Sequence, residues 1–137
     1  MNLVVDIGNN FFKLGIFENS NLVFSFFDKN DKIDIEIEKI ICKYSKITNA
    51  LISNVSSVKI NDLLNRLNIK IYKLDSTFIF PFELNYKTPE SLGNDRLALA
   101  AAATILFPNS NNLVIDAGTC ITIDFIDNNN HFLGGSI

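Results

Sequence analysis

The chain has 137 residues, 47% of them hydrophobic and 20% charged, with a formal net charge of −3 and a sequence pI near 5.0. A chain of that length buries roughly two-thirds of its unfolded surface, and the composition excludes disordered, fibrous and collagen-like classes. The acidic balance leaves no basic footprint for nucleic acid, and no apolar stretch approaches the roughly 20 residues that span a bilayer.

Leu3-Val4-Val5-Asp6-Ile7 reads as a buried strand. It lacks the basic start and long apolar run of a secretion signal, so a cytoplasmic location is expected. Gly8-Asn9-Asn10 reads as a tight turn built from residues that tolerate positive φ. Segments 11–17 and 22–27 then return as the second and third strands of an antiparallel meander. Lys13 falls on the same side as Phe11, within reach of a phosphate near the turn; a solvated lysine is the plain alternative. The charged stretch from Asp28 to Glu38 reads as a solvated loop and helix face. Over 32–44 the period changes, placing Ile33, Ile37, Ile40, Ile41 and Tyr44 on one helical face. A short buried strand at 49–53 precedes a helix capped by Ser57, with Ile60, Leu63, Leu64 and Leu67 as its face. A strand at 69–74 follows. Strands alternating with helices imply an α/β domain with parallel pairs after the opening meander.

The stretch 78–89 reads as extended, punctuated by Pro81 and Pro89. Ser91 is placed to cap a third helix running to about Leu106, whose run from Ala98 to Ala103 is strongly helix-forming. A linker at 108–112 leads to a strand at 113–117, a turn at Gly118-Thr119, a strand at 120–126 and a further turn at 128–130. Cys42 and Cys120 lack metal-ligand or disulfide spacing and read as reduced, partly buried thiols. His131 reads as a surface residue without a partner. Phe24, Phe26, Phe27, Phe78, Phe80 and Phe82 read as sheet and core residues.

An internal repeat points to chemistry. Val4-Val5-Asp6-Ile7-Gly8-Asn9 recurs in kind as Val114-Ile115-Asp116-Ala117-Gly118-Thr119. Glycine-rich turns leave backbone N–H groups free for an anion, and an Asp at each strand end suits magnesium through water, or another cation. Two such units facing one another would hold a triphosphate from both sides. Either hairpin alone reads as a plain turn with a solvated Asp; the recurrence favours the phosphate clamp. Neither GxxxxGK[ST] nor GxGxxG occurs.

Tyr86-Lys87-Thr88-Pro89-Glu90-Ser91-Leu92-Gly93-Asn94-Asp95-Arg96 resembles the Y-x-x-P-x-x-x-G-x-D-R segment of type III pantothenate kinases. Asp6-Ile7-Gly8-Asn9-Asn10-Phe11-Phe12-Lys13 resembles their D-x-G-N-[TS]-x-x-K motif. Asp116-Ala117-Gly118-Thr119 with Thr122 and Asp124 resembles D-A-G-T-x-x-T-x-D, and Gly134-Gly135-Ser136-Ile137 the start of G-G-x-I-x-P-G. The resemblance implies an RNase H-like, actin-like ATPase fold with a mixed sheet and flanking helices. A first domain over 1–110 would be complete, and a second, beginning at 111, only begun by 137.

It further implies ATP-dependent phosphorylation of pantothenate, the first step towards coenzyme A, by a homodimer. Asp6, Ile7, Gly8, Asn9, Asn10, Phe11, Phe12, Lys13 and Thr119 would bind ATP. Tyr86, Gly93, Asn94, Asp95 and Arg96 would bind pantothenate, with Asp95 as catalytic base and Arg96 suited to the carboxylate. Asp95 falls in the first turn of the expected helix, where the dipole favours a carboxylate. From spacing alone Asp95 and Arg96 would be a helix or surface ion pair; the segment match reverses that. Asp116 would bind the monovalent cation, potassium or ammonium, and Asp6 magnesium through water. Asn10 stands where the family has Thr or Ser, which is expected to weaken a phosphate contact. The family's chains are longer, so the 137 residues alone are expected to be inactive. The alternative is a non-catalytic nucleotide-binding or regulatory member of the same fold. Other actin-like enzymes, such as sugar or acetate kinases, lack the Tyr86–Arg96 segment.

Overall fold

The computed structural model describes residues 1–60 and 68–137. The expected helical face at Leu63, Leu64 and Leu67 lies outside the described residues. Contacts divide the chain into two compact units, Met1–Leu74 and Asp75–Ile137. This grouping places the helix near residue 100 with the second unit, whereas the sequence expectation drew its domain line at 110.

In the first unit, β1 (Asn2–Ile7), β2 (Phe11–Glu18) and β3 (Asn21–Lys29) form the expected meander. A 3-10 turn (Asn30–Lys32) leads into α1 (Ile33–Lys43), then β4 (Asn49–Asn54) and β5 (Lys70–Lys73). The sheet order is β3-β2-β1-β4-β5, antiparallel through the meander and parallel beyond it. That is the RNase H-like order. Leu3, Val5 and Ile7 alternate on β1, as Phe12, Leu14 and Ile16 do on β2, so period-two patterning aims all six at one face. There they join Ile33, Ile37 and Ile40 of α1 and Ala50 and Ile52 of β4 in one buried cluster. Burying each large aliphatic side chain contributes about 1.5–3 kcal/mol.

In the second unit, β6 (Glu83–Leu84), a 3-10 turn (Pro89–Ser91) and α2 (Asn94–Leu106) precede β7 (Asn112–Ala117), β8 (Ile121–Ile126) and β9 (His131–Ser136). The order is β6-β9-β8-β7: a second antiparallel meander, with β6 parallel to β9 at its edge. Helix α2 packs against β7 and β8. The core holds Phe82, Leu92, Leu97, Ala100, Ile126 and Phe132. Phe80 stacks on Phe82 with ring centroids 4.9 Å apart, and Phe82 meets Phe132 at 5.7 Å, so these rings serve the core, whereas Phe27, expected there too, is exposed. By strand alternation the opposite sheet face carries Leu113, Ile115, Ile121, Ile123 and Leu133, all exposed.

Several expectations change. Ser91 does not cap α2, whose N-cap is Gly93; its hydroxyl instead donates to the Thr88 carbonyl at 2.7 Å and closes the 3-10 turn. Neither Gly8 nor Asn9 nor Asn10 adopts positive φ; among the described residues Asn19, Asn109, Asn130 and Gly134 do. Cys42 and Cys120 are free but exposed rather than partly buried. His131 is half-buried on β9, its Nδ1 2.8 Å from Asp127 Oδ2 and its Nε2 3.7 Å from Glu83 Oε2. A hairpin partner for β8 gathered these groups, which linear spacing did not suggest.

Gly135 is the tightest point of the second sheet. It pairs with Asp124 across β8–β9, and a Cβ there would lie 1.6 Å from the Ile123 carbonyl oxygen. Gly118, by contrast, would meet nothing closer than 3.9 Å. Gly135→Ala is therefore expected to cost at least about 2 kcal/mol by forcing the strands apart. Gly118→Ala is expected to be neutral, or stabilising by up to about 1 kcal/mol through reduced freedom of the unfolded chain. Urea unfolding of both variants checks the contrast.

Candidate active site

The β1–β2 hairpin carries the first motif. Asp6 pairs in register with Lys13 on β2 and with Ser53 on β4. The three side chains form one row on the face opposite α1, with directly paired Cβ atoms on the order of 5 Å apart. Lys13 is exposed and Asp6 half-buried, so the lysine stands at the solvent side of the row. Ser53 is buried, and its Oγ has no hydrogen-bond partner among the described residues. Gly8 N–H donates to the Phe11 carbonyl at 3.0 Å to close the turn. A Cβ on Gly8 would come within 3.3 Å of that oxygen, so close approach is what favours glycine there.

Behind the turn stands a residue that the motif reading missed. Asn30 Nδ2 donates to the Gly8 carbonyl at 2.8 Å and to the Asn9 carbonyl at 3.2 Å. Its backbone N–H donates to the Asn10 carbonyl at 3.1 Å. In the sequence Asn30 falls within a stretch that reads as a solvated loop, because no local pattern distinguishes it from its polar neighbours.

The repeated hairpin is not a copy. Gly118 N–H donates to the Cys120 carbonyl at 3.0 Å, closing over one residue, whereas Gly8 reaches Phe11 over two. Asp116 lies half-buried on β7 beside Thr122, and Thr119 is exposed at the turn.

The second motif lies at the start of α2. Asp95 Oδ1 accepts from the Arg96 N–H at 2.8 Å. Gly93 makes room for this, since a Cβ there would sit 2.5 Å from the same oxygen. The Asp95 carboxylate is half-buried and folded back over the helix start. Arg96 turns away from it. Its Nε donates to Asp124 Oδ2 at 2.9 Å and its Nη2 donates to Oδ1, a two-pronged pair between α2 and β8. Arg96 is only 6% exposed and Asp124 2%, so the pair is interior. The bond to Asp124 raises the guanidinium pKa against the opposing effect of burial, with a smaller contribution from Tyr86. Tyr86 packs edge-on against Phe132, 6.2 Å between centroids. Its ring also fills the space beside Gly134, where φ is +89° and a Cβ would come within 2.8 Å.

Tyr86, Arg96, Asp124 and Gly134 thus come from three separate motifs and meet within one unit. The ion pair expected from spacing, Asp95 with Arg96, is replaced by Arg96 with Asp124. Asp124 takes two of the five guanidinium N–H groups, and Tyr86 is a further hydrogen-bond partner of the guanidinium. The start of α2 thus holds a half-buried carboxylate at Asp95 and, turned to the interior, a guanidinium fixed by Asp124.

A family model described as type III pantothenate kinase matches residues 2–137. A curated type III pantothenate kinase from Flavobacterium johnsoniae is 42% identical over 140 residues, covering 100% of this chain and 57% of the relative. The chain spans a little over half the length of the curated relatives it matches. A solved Campylobacter jejuni structure, ascribed to the Baf family of transcriptional activators, aligns over 97% of this chain and 52% of its own. That match has a TM-score of 0.58 and 28% identity. A Sinorhizobium meliloti structure, ascribed to a 2-dehydro-3-deoxygalactonokinase, aligns over 99% of this chain and 52% of its own. At a TM-score of 0.60 and 13% identity, it supports the fold alone.

The buried pair makes a sharp expectation. Asp124→Asn leaves the Arg96 charge interior and uncompensated, and is expected to cost about 3 kcal/mol or more. Replacing both partners, Arg96→Met with Asp124→Leu, is expected to recover most of that stability. Denaturant titration of the single and double variants measures it.

Proposed function

The chain belongs to the type III pantothenate kinase family, and from that premise we propose that the protein transfers the γ-phosphoryl group of ATP to the primary hydroxyl of pantothenate. The product would be 4′-phosphopantothenate, the first intermediate towards coenzyme A. The observation that carries this reading is the family match over residues 2–137, which takes in Tyr86 to Arg96. The joining of Tyr86, Arg96 and Asp124 in one cluster supports it.

Phosphoryl transfer needs positioning and charge neutralisation more than covalent chemistry. In this reading Asp95 accepts the hydroxyl proton as the oxygen attacks phosphorus. Tyr86, Gly93, Asn94 and Arg96 bind pantothenate, with Arg96 the cation suited to its carboxylate. Asp6 to Lys13 bind ATP phosphates through the turn and Lys13, since the side chains of Ile7 and Phe12 lie wholly in the core, with Thr119 a further ATP contact. Among the described residues no three His, Cys, Asp or Glu side chains gather as a metal cage. A single carboxylate suits a cation whose other ligands are phosphate oxygens and water. Asp6 would hold magnesium through water, and Asp116 a potassium or ammonium ion. When bound, such cations neutralise phosphate charge. The proposal extends to a cytoplasmic homodimer with ATP and pantothenate as its partners.

β1 is paired on both sides, by β2 and β4, while its repeat counterpart β7 is paired by β8 at the edge of its sheet. We read that edge, and the exposed apolar face beside it, as covered by further chain in a working enzyme. A second reading is a non-catalytic regulatory member of the fold, favoured by Asn10 in place of Thr or Ser and by the Campylobacter likeness.

ADP release coupled to pantothenate is the deciding assay, run with magnesium and potassium on this chain and on the chain continued to its relatives' length. Turnover is expected in the longer form and not in the shorter. ATP binding without turnover in either would favour the regulatory reading. Asp95→Asn is expected to abolish turnover while sparing ATP binding; retained turnover would remove Asp95 as base. Asp116→Ala is expected to weaken the potassium dependence.

A further inference from the structure

We infer that Asn30 is the positioning residue of the phosphate turn, holding three successive carbonyls of residues 8–10 back so that the amides following them face an anion. The inference rests on the reading that this turn binds ATP phosphates, and goes beyond it by assigning the device that shapes the turn. Asn30 belongs to none of the motifs and lies on a 3-10 turn, 20 residues beyond Asn10.

The argument is one of peptide geometry. Asn30 holds the carbonyls of Gly8 and Asn9 with its side-chain amide and that of Asn10 with its backbone N–H. No peptide bond among the described residues is cis. In a planar trans peptide the carbonyl and the following N–H point in opposite directions. Drawing those three carbonyls towards Asn30 therefore turns the N–H groups of Asn9, Asn10 and Phe11 the other way. Successive backbone amides on the outer side of a turn are available to the oxygens of a nucleotide phosphate.

The amide orientation of Asn30 is fixed by the same contacts. Rotating it by half a turn would press Oδ1 against two carbonyl oxygens. As placed, Oδ1 is buried with no hydrogen-bond partner among the described residues. That unmatched acceptor offsets part of what the two donated bonds contribute. An aspartate of the same shape would lose both side-chain bonds and repel the carbonyls. A serine is shorter and would keep at most one.

The test compares ATP with adenosine by calorimetry, in the presence of magnesium, on the chain continued to its relatives' length. Asn30→Asp is expected to weaken ATP binding about tenfold or more, as loss of an ordinary net hydrogen bond implies. Adenosine, which has no phosphate, is expected to bind the variant as it binds wild type. Asn30→Ser is expected to fall between wild type and Asn30→Asp, and it carries the test if the aspartate variant does not fold. Wild-type ATP affinity in a folded variant, or equal losses for ATP and adenosine, would overturn the role of Asn30. Wild-type protein that binds adenosine but gains nothing from the phosphates would sink the phosphate reading itself. Absence of pantothenate-dependent ADP release, with the ATP–adenosine contrast intact, would sink the kinase reading and leave Asn30 in place.

Discussion

The buried pair of Arg96 and Asp124 is the constraint on which the second unit depends. A guanidinium does not shed its proton at any pH a protein survives, so an interior arginine needs a permanent partner. Asp124 supplies it with a planar carboxylate that accepts two parallel bonds, and β8 brings that carboxylate under α2. The strand and helix are thereby fixed in register as well as in contact. Leu97 and Ala100 bury the same side of the helix, so apolar packing and the charge pair agree on one orientation.

Glycine positions follow from that arrangement. Gly93 leaves room for the Asp95 carboxylate, Gly134 for the Tyr86 ring, and Gly135 for the backbone of the neighbouring strand. Each is a place where a side chain would displace a group that the cluster uses. The motif glycines are thus explained by close approach, with positive φ adding to the requirement only at Gly134. At Gly118 neither argument applies.

In the first unit a hairpin on a five-stranded sheet supports the other half of the proposed chemistry. Its core strands are held by apolar alternation, while the turn is shaped by polar contacts from Asn30 at the start of the next element. A rigid sheet with a polar fastening at its rim suits a loop that must present backbone amides without moving to do so. The second hairpin lacks one loop residue relative to the first, so the two repeats are related in strand order and differ in their turns.

The strands of the first sheet, the apolar face of α1 and the family are legible in the amino-acid order, because these rest on local periodicity and short contiguous motifs. Leu3, Val5 and Ile7 could face only one way once the period was two. The amino-acid order also contains the motif residues Tyr86, Arg96, Asp124 and Gly134, but not their meeting. That Arg96 pairs with Asp124 rather than Asp95 follows from packing. The choice depends on β8 passing beneath α2, across 28 residues of chain. The same holds for Asn30, whose three bonds reach back to residues 8–10, and for His131, set between Asp127 and Glu83 by the pairing of β9. Polar partnerships of this kind carry no periodic signature. They are fixed by where a buried donor finds an acceptor after the apolar faces have packed.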